Sequence, residues 1–182
     1  GQGVKLSGAE QEVLRFAKKA QIPIASTLMG LSAVPSDHPL YVGKLGMHGN
    51  AAGNIMTQEC DLLMAVGMRF SDRVTGDTKC YAPNATKIQI DIDPVEINKV
   101  VKVDIGLVAD AKEALSELIP LVQEHAPRKE WMQVAKDAYK KEYELVIKKA
   151  VTPDKGGIRM GEVVATIAEA CGQEAIIVTD VG

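Results

Sequence analysis

Leu62-Leu63-Met64-Ala65-Val66-Gly67 and, further on, Lys87-Ile88-Gln89-Ile90-Asp91-Ile92-Asp93-Pro94 decide the fold. The first is an apolar run of strand length that ends at a glycine. The second alternates with period two and is stopped by a proline, which is a strand signal. Outward from these, Ile105 to Val108 reads as a further short strand, and Ile22 to Ser26 as another, entered through Pro23 where a missing N–H is tolerated. Helical spacing separates the strands. From Ser7 to Ala20 the apolar Val13, Leu14, Phe16 and Ala17 recur on one side, with Ser7 and Glu10 as a capping box. Asn50 to Glu59 is a weaker helix, and Ala111 to Glu124 carries Leu115, Leu118, Ile119 and Val122 on one face, with Pro120 as an internal irregularity. Strands and helices in alternation give parallel βαβ units, an α/β class whose ligand sites lie beyond the carboxyl ends of the strands. The loops after Ser26, Val66 and Ile92 therefore share one edge.

Two of the connections are long. Thr27 to Gly49 carries Gly30, Gly43, Gly46 and Gly49 with Pro35 and Pro39, and Met68 to Asn84 follows the Leu62 strand. Loops of this length in compact domains are usually functional. Lys129 to Lys149 reads as one charged helix with Trp131, Val134, Ala138 and Leu145 as its apolar face. The organisation expected is a nucleotide-binding type of domain over residues 1–150, a linker at 151–157, and the start of a second domain over 158–182, with a helix from Gly161 to Cys171 and a strand from Ala175 to Thr179. Both ends are expected to be cuts inside a longer polypeptide. There is no internal repeat or low-complexity tract.

Composition narrows the function. Across 182 residues, 46% are hydrophobic and 25% charged, and no window approaches the apolar length of a membrane-spanning helix, which argues for a soluble globular protein. Twenty-one Lys+Arg against 24 Asp+Glu leave a net charge of -3, without the basic excess that favours a phosphate backbone, so nucleic acid is not an expected partner. Cys60, Cys80 and Cys171 show no C-x-x-C spacing, which argues against a disulfide framework and a zinc site and fits a reducing cytoplasm.

Several residues carry chemical possibilities. Arg69 and Arg73, four apart after the Leu62 strand, present two guanidinium forks suited to a diphosphate; the alternative is a solvated loop in which Arg73 pairs with Asp72. Asp91 stands near the end of its strand, where a carboxylate accepts from ribose hydroxyls, and Asp110 holds a similar place, although directly before a helix it also reads as an N-cap. Gly1-Gln2-Gly3 lacks the third glycine of a dinucleotide fingerprint, Leu6 standing in its place, and reads otherwise as a plain turn. His48 is a lone histidine in a glycine-rich loop, as compatible with a structural as with a chemical role. Neither a nucleophile elbow nor a P-loop is present, which disfavours hydrolase and NTPase readings.

Four stretches together resemble the large catalytic subunit of acetolactate synthase, a thiamine-diphosphate enzyme family: Thr27-Leu28-Met29-Gly30, Leu45-Gly46-Met47-His48-Gly49, Gly67-Met68-Arg69-Phe70-Ser71-Asp72-Arg73-Val74-Thr75-Gly76 and Ile90-Asp91-Ile92-Asp93-Pro94. Their order and spacing match over about residues 1 to 125. The resemblance implies a Rossmann-like parallel sheet with helices on both faces, the central of three domains, which in that family holds FAD without using it for net redox chemistry. It assigns the cofactor's site to Gly1, Gly3, Thr27, Leu28, Met47, His48, Gly67, Arg69, Asp72, Arg73, Val74, Asp91, Ile92, Asp110 and Ala111. It further implies that the complete polypeptide uses thiamine diphosphate and Mg2+, bound outside this chain, to decarboxylate pyruvate and join it to a second 2-oxo acid in branched-chain amino-acid biosynthesis, as a homo-oligomer with a regulatory subunit. The fragment itself is expected to be inactive, with no catalytic residue and no metal ligand of its own. Two departures stand out: Ser71 where the family commonly has Asp, and no counterpart of the strand that the family has ahead of Gly1. The Ala175 to Thr179 run is one candidate for that strand's place. The competing expectations are another thiamine-diphosphate decarboxylase or carboligase whose central domain binds ADP or nothing, and a non-catalytic nucleotide-binding module.

Overall fold

The computed structural model describes residues 1–153, 156–172, 175, 176 and 178. Its elements in chain order are α1 (Gln2–Leu6), α2 (Glu10–Ala20), β1 (Ile24–Ser26), a single 3-10 turn (Leu28–Gly30), β2 (Tyr41–Lys44), α3 (Ala51–Glu59), β3 (Leu62–Val66), α4 (Asp72–Thr75), β4 (Thr86–Asp91), β5 (Ile105–Val108), α5 (Ala111–Leu121), α6 (Lys129–Glu142), α7 (Lys148–Val151) and α8 (Met160–Cys171). Two compact units result, Gly1–Tyr139 and Lys140–Gly182.

In the first unit every strand pair is parallel, as the alternation of elements requires. The strands form two ladders, β1–β2 and β3–β4–β5. In the larger one Leu62 faces Thr86 and Val66 faces Ile90, while Ile88 faces Ile105 and Asp91 faces Val108. The two ladders are not bonded to each other. A cavity of about 190 Å³ has Ile24, Ala25 and Ser26 of β1 and Leu62, Met64 and Val66 of β3 in its wall.

Period-two alternation along β3 sorts its side chains between two layers. Met64 and Val66 pack on Val4, Phe16, Ala20, Ala111 and Leu115, which come from α1, α2 and α5. Leu63 and Ala65 face the other way, onto Phe70, Tyr81, Ala82, Ala85 and Val101, supplied by connecting segments. The rings of Phe70 and Tyr81 meet edge to face with centroids 6.0 Å apart. A third cluster joins Val42 and Ala25 of the smaller ladder to Ala52 and Met56 of α3 and Ala135 and Ala138 of α6. Helices thus flank the parallel sheet structure, α1, α2 and α5 on one face of the larger ladder and α3 and α6 against the smaller one.

Several local expectations are corrected. Ser7 does not cap the long helix: it closes α1 in right-handed helical geometry, and its hydroxyl donates to Val4 O at 3.3 Å. Glu10 instead pairs with Lys5 at 3.0 Å, and α2 starts after Ala9. Gly1-Gln2-Gly3 is the opening of α1, not a plain turn. The long Thr27 to Gly49 loop contains a strand, β2, and the Met68 to Asn84 loop contains α4. The alternating strand ends at Asp91, because Asp91 Oδ1 accepts from Asp93 N at 3.0 Å and turns the chain. Pro120 lies within α5, as read.

In the second unit the helix expected to run unbroken to Lys149 widens into a π turn over Tyr143–Ile147 before α7. Gly161 packs on the Ala150 carbonyl where α7 and α8 meet. Of the expected Ala175 to Thr179 strand, Ala175, Ile176 and Val178 adopt no strand structure, and Ile177 and Thr179 lie outside the described residues.

Leu115 is 1% exposed at the junction of α5 with α1 and α2, so Leu115→Ala should lower stability by roughly 2–5 kcal/mol, read from urea unfolding. Tyr81 is buried with a hydroxyl that has no hydrogen-bond partner among the described residues, and burial pushes its pKa above the ordinary 10.0. The unfolded chain therefore gives up this proton at lower pH than the folded one, so the stability it contributes is present below pH 10.0 and declines as pH rises above it. Tyr81→Phe should flatten that alkaline decline in a series of unfolding curves and leave neutral-pH stability unchanged or higher.

Candidate functional site

The carboxyl ends of β1, β3, β4 and β5 deliver their loops to one rim, and backbone contacts tie those loops together. Gly67, just past β3, takes a positive φ of +57° that suits glycine. Its N–H donates to Ile90 O at 2.8 Å and its carbonyl accepts from Gly3 N at 3.0 Å. The Gly1 nitrogen donates to Val66 O at 2.8 Å. A Cβ on Gly3 would stand 2.6 Å from the Gly67 Cα, and one on Gly1 would collide with the Gly67 carbonyl. The opening turn of α1 is thereby pressed onto the end of β3. Gly30, in the turn after β1, abuts Gly1 from the other side, and its N–H is held by the Thr27 hydroxyl at 3.2 Å. At the far end of the larger ladder, Ala109 N donates to Asp91 O at 3.1 Å.

A second set of contacts holds the glycine-rich loop that follows β2. Met47 N donates to Arg73 O at 2.8 Å, joining this loop to α4. Gly46, at φ +96°, lies so close to the same Arg73 carbonyl that a Cβ would strike it. From α3, Asn50 Oδ1 accepts from Lys44 N at 3.0 Å, and the Asn54 amide grips Gly46 on both sides, accepting from its N–H at 2.9 Å and donating to its carbonyl at 3.0 Å. Beneath the larger ladder's rim the fully buried Gln89 donates from Nε2 to Met68 O and to Glu96 O, both at 3.3 Å, bridging the segments after β3 and β4.

Each residue named from the sequence has a definite setting. Gly1, Gly3, Thr27, Gly67 and Asp91 belong to the contacts just described. Leu28, Met47 and Ile92 are apolar and largely exposed at 63%, 65% and 71%. Arg69 and His48 are also exposed. Arg73 makes the solvated pair with Asp72, at 3.6 Å with side chains 72% and 79% exposed, an arrangement that contributes little to stability. Val74 packs inward on the Phe70 and Tyr81 cluster. Asp110 is an N-cap: its Oδ1 accepts from Lys112 N at 2.8 Å and Glu113 N at 3.2 Å. Ala111 is buried in the core beside Leu115. No His, Cys, Asp and Glu cluster suited to a metal stands among the described residues.

Asn50, Asn54 and Gln89 escaped the sequence reading. The i, i+4 spacing of the two asparagines, immediately after a glycine-rich loop, is the signal that places both amides on one helix face beside that loop.

The rim offers exposed guanidinium groups at one point, exposed apolar side chains at others, and a carboxylate with one oxygen committed to a turn. Such a surface suits a large ligand with anionic, aromatic and hydroxyl parts. Comparison with known proteins identifies the family of the chain. The family model described as the thiamine pyrophosphate enzyme, central domain, matches residues 1–118. The chain is 54% identical over 119 residues to the probable acetolactate synthase large subunit of Methanocaldococcus jannaschii, covering 65% of this chain and 20% of that protein. It is 41% identical over 174 residues to the acetolactate synthase isozyme 1 large subunit of Escherichia coli K12, covering 96% of this chain and 30% of that one. With the acetolactate synthase large subunit of Lactococcus lactis it shares 38% over 183 residues, covering 100% of this chain and 31% of the relative. The chain thus spans less than a third of the length of each of these relatives. On the matched residues and the parallel α/β architecture together, the chain belongs to the thiamine pyrophosphate enzyme central-domain family.

Proposed function

We propose that this chain is the FAD-holding central domain of an acetolactate synthase, continuing into the start of the next domain. In this reading residues 1–150 form the central domain, 151–157 a linker and 158–182 the opening of the diphosphate-binding domain. The observation that carries it is the match along the whole chain to acetolactate synthase large subunits, supported by a rim with exposed guanidinium groups, apolar side chains and a partly committed carboxylate.

The complete enzyme would decarboxylate pyruvate and join the remainder to a second 2-oxo acid, with thiamine diphosphate and Mg2+ bound by parts outside this chain. Thiamine diphosphate supplies the carbanion chemistry and the protein supplies binding and orientation. This chain's share is to bind and orient. Arg69 and Arg73 meet the FAD diphosphate, with Arg73 leaving its weak pair with Asp72 to do so. Asp91 takes a ribose hydroxyl on the oxygen that the Asp93 turn leaves open. The Met47-His48 loop lies toward the flavin ring, Leu28 and Ile92 are further lining residues, and Gly1, Gly3 and Gly67 let the backbone come close. Asp110 and Ala111 contribute through the position of the α5 start. The name "large subunit" carried by the relatives supports a regulatory partner, and a cytoplasmic homo-oligomer fits the same reading. Among the described residues no helix is long and apolar enough to cross a membrane.

A titration with FAD, followed by quenching of flavin fluorescence and by the visible flavin spectrum, tests the reading. Saturable uptake is expected, and its absence from both this chain and the complete polypeptide would leave only the ADP-binding or empty class of central domain. Replacing both Arg69 and Arg73 with Ala should weaken FAD binding at least about tenfold while leaving the unfolding midpoint unchanged, since both side chains are exposed. Asp110→Ala should do the reverse in part, lowering stability by about 1 kcal/mol through the lost N-cap, measured by thermal unfolding.

A further inference from the structure

The loop Leu45–Gly49 stands at the rim, but it is held from behind, by α3. Asn54 Oδ1 accepts from Gly46 N at 2.9 Å and its Nδ2 donates to Gly46 O at 3.0 Å, so one side-chain amide takes both polar groups of one residue. Two hydrogen bonds to a single backbone unit fix its rotation as well as its distance. Only a primary amide offers a neutral donor and acceptor side by side, and glutamine would place them one methylene further out. Asn54 is itself anchored, its N–H reaching Asn50 O at 3.2 Å within α3.

What Asn54 fixes is passed on. Gly46 touches the Arg73 carbonyl with no space for a Cβ, and the next N–H, that of Met47, donates to the same carbonyl at 2.8 Å. A shift of Gly46 therefore moves the Arg73 peptide and the exposed Met47 side chain together. We propose that Asn54 is a positioning residue for the group held at this rim: by clamping Gly46 it sets where Met47 and Arg73 stand, without touching that group itself. The proposal rests on the reading of the rim as an FAD site.

The test compares Asn54→Ala and Asn54→Asp with the wild-type chain and with Leu115→Ala, which removes buried contacts in the α5 layer. Asn54→Asp keeps the acceptor for Gly46 N but sets a second acceptor against Gly46 O, so it should behave like the alanine variant even if that one folds poorly. Two quantities are read: hydrogen exchange of the Met47 amide by NMR, which needs no flavin, and the FAD dissociation constant by flavin fluorescence. Both Asn54 variants should speed Met47 exchange and weaken FAD binding by about tenfold or more, whereas Leu115→Ala, although less stable, should leave Met47 exchange less changed and weaken FAD binding by less. Unchanged Met47 exchange overturns the clamp. Unchanged FAD affinity, or a loss no larger than that of Leu115→Ala, overturns the positioning role. If the wild type takes up no FAD, the reading of the rim fails instead, and the Met47 exchange rate alone decides the clamp.

Discussion

The backbone of Gly67 lies directly against the backbone of Gly3, with no side chain between them, and the rest of the rim is built on that approach. It lets one peptide group serve two neighbours: the N–H of Gly67 extends the β3–β4 ladder to Ile90 while its carbonyl receives the first turn of α1. A methyl group at either glycine would push α1 off the sheet and carry with it Gly1, whose nitrogen closes on Val66, and the Gly30 turn that leans on Gly1. The seat of the proposed cofactor therefore depends less on a charged side chain than on room made by the lack of side chains.

A division of labour follows. The layers on the two sides of β3 are apolar and well buried, and their stability comes from removing that surface from water. The rim is held by hydrogen bonds in which side-chain amides replace backbone partners: Asn50 and Asn54 for the loop after β2, Gln89 for the segments after β3 and β4. Such bonds are individually worth about 1 kcal/mol, but they are directional, and direction is what the rim's loops lack without them. The side chains of Arg69, Arg73 and Asp72 stand in solvent outside this framework, Arg73 and Asp72 in their weak pair.

How much of this was legible follows from the same division. The strands Leu62–Val66 and Ile105–Val108 were readable residue for residue, because apolar runs between turn residues announce themselves, and Asp110 was readable as a cap from its place before Ala111. Strand β2 was not, since Gly43 in its middle and the glycines on either side look like loop. Ser7 and Glu10 had the spacing of a capping box, yet a short helix ahead of them used Ser7 as its end and Lys5 took the glutamate. Of the residues carried by resemblance, Gly1, Gly3, Gly67 and Asp91 stand at one rim, whereas Val74 and Ala111 are turned into the packed layers. The amides that support them were missed, because a side chain bonding to a distant backbone leaves no period in the sequence.

The cavity between β1 and β3 has a mechanical consequence. It is open on one side, so water enters it, and wall residues such as Ile24, Leu62 and Met64 lack the close packing of a neighbouring strand along that seam. The two ladders are therefore joined through side-chain packing alone along this seam, and a segment seated in it would stiffen the molecule by adding backbone hydrogen bonds on both sides.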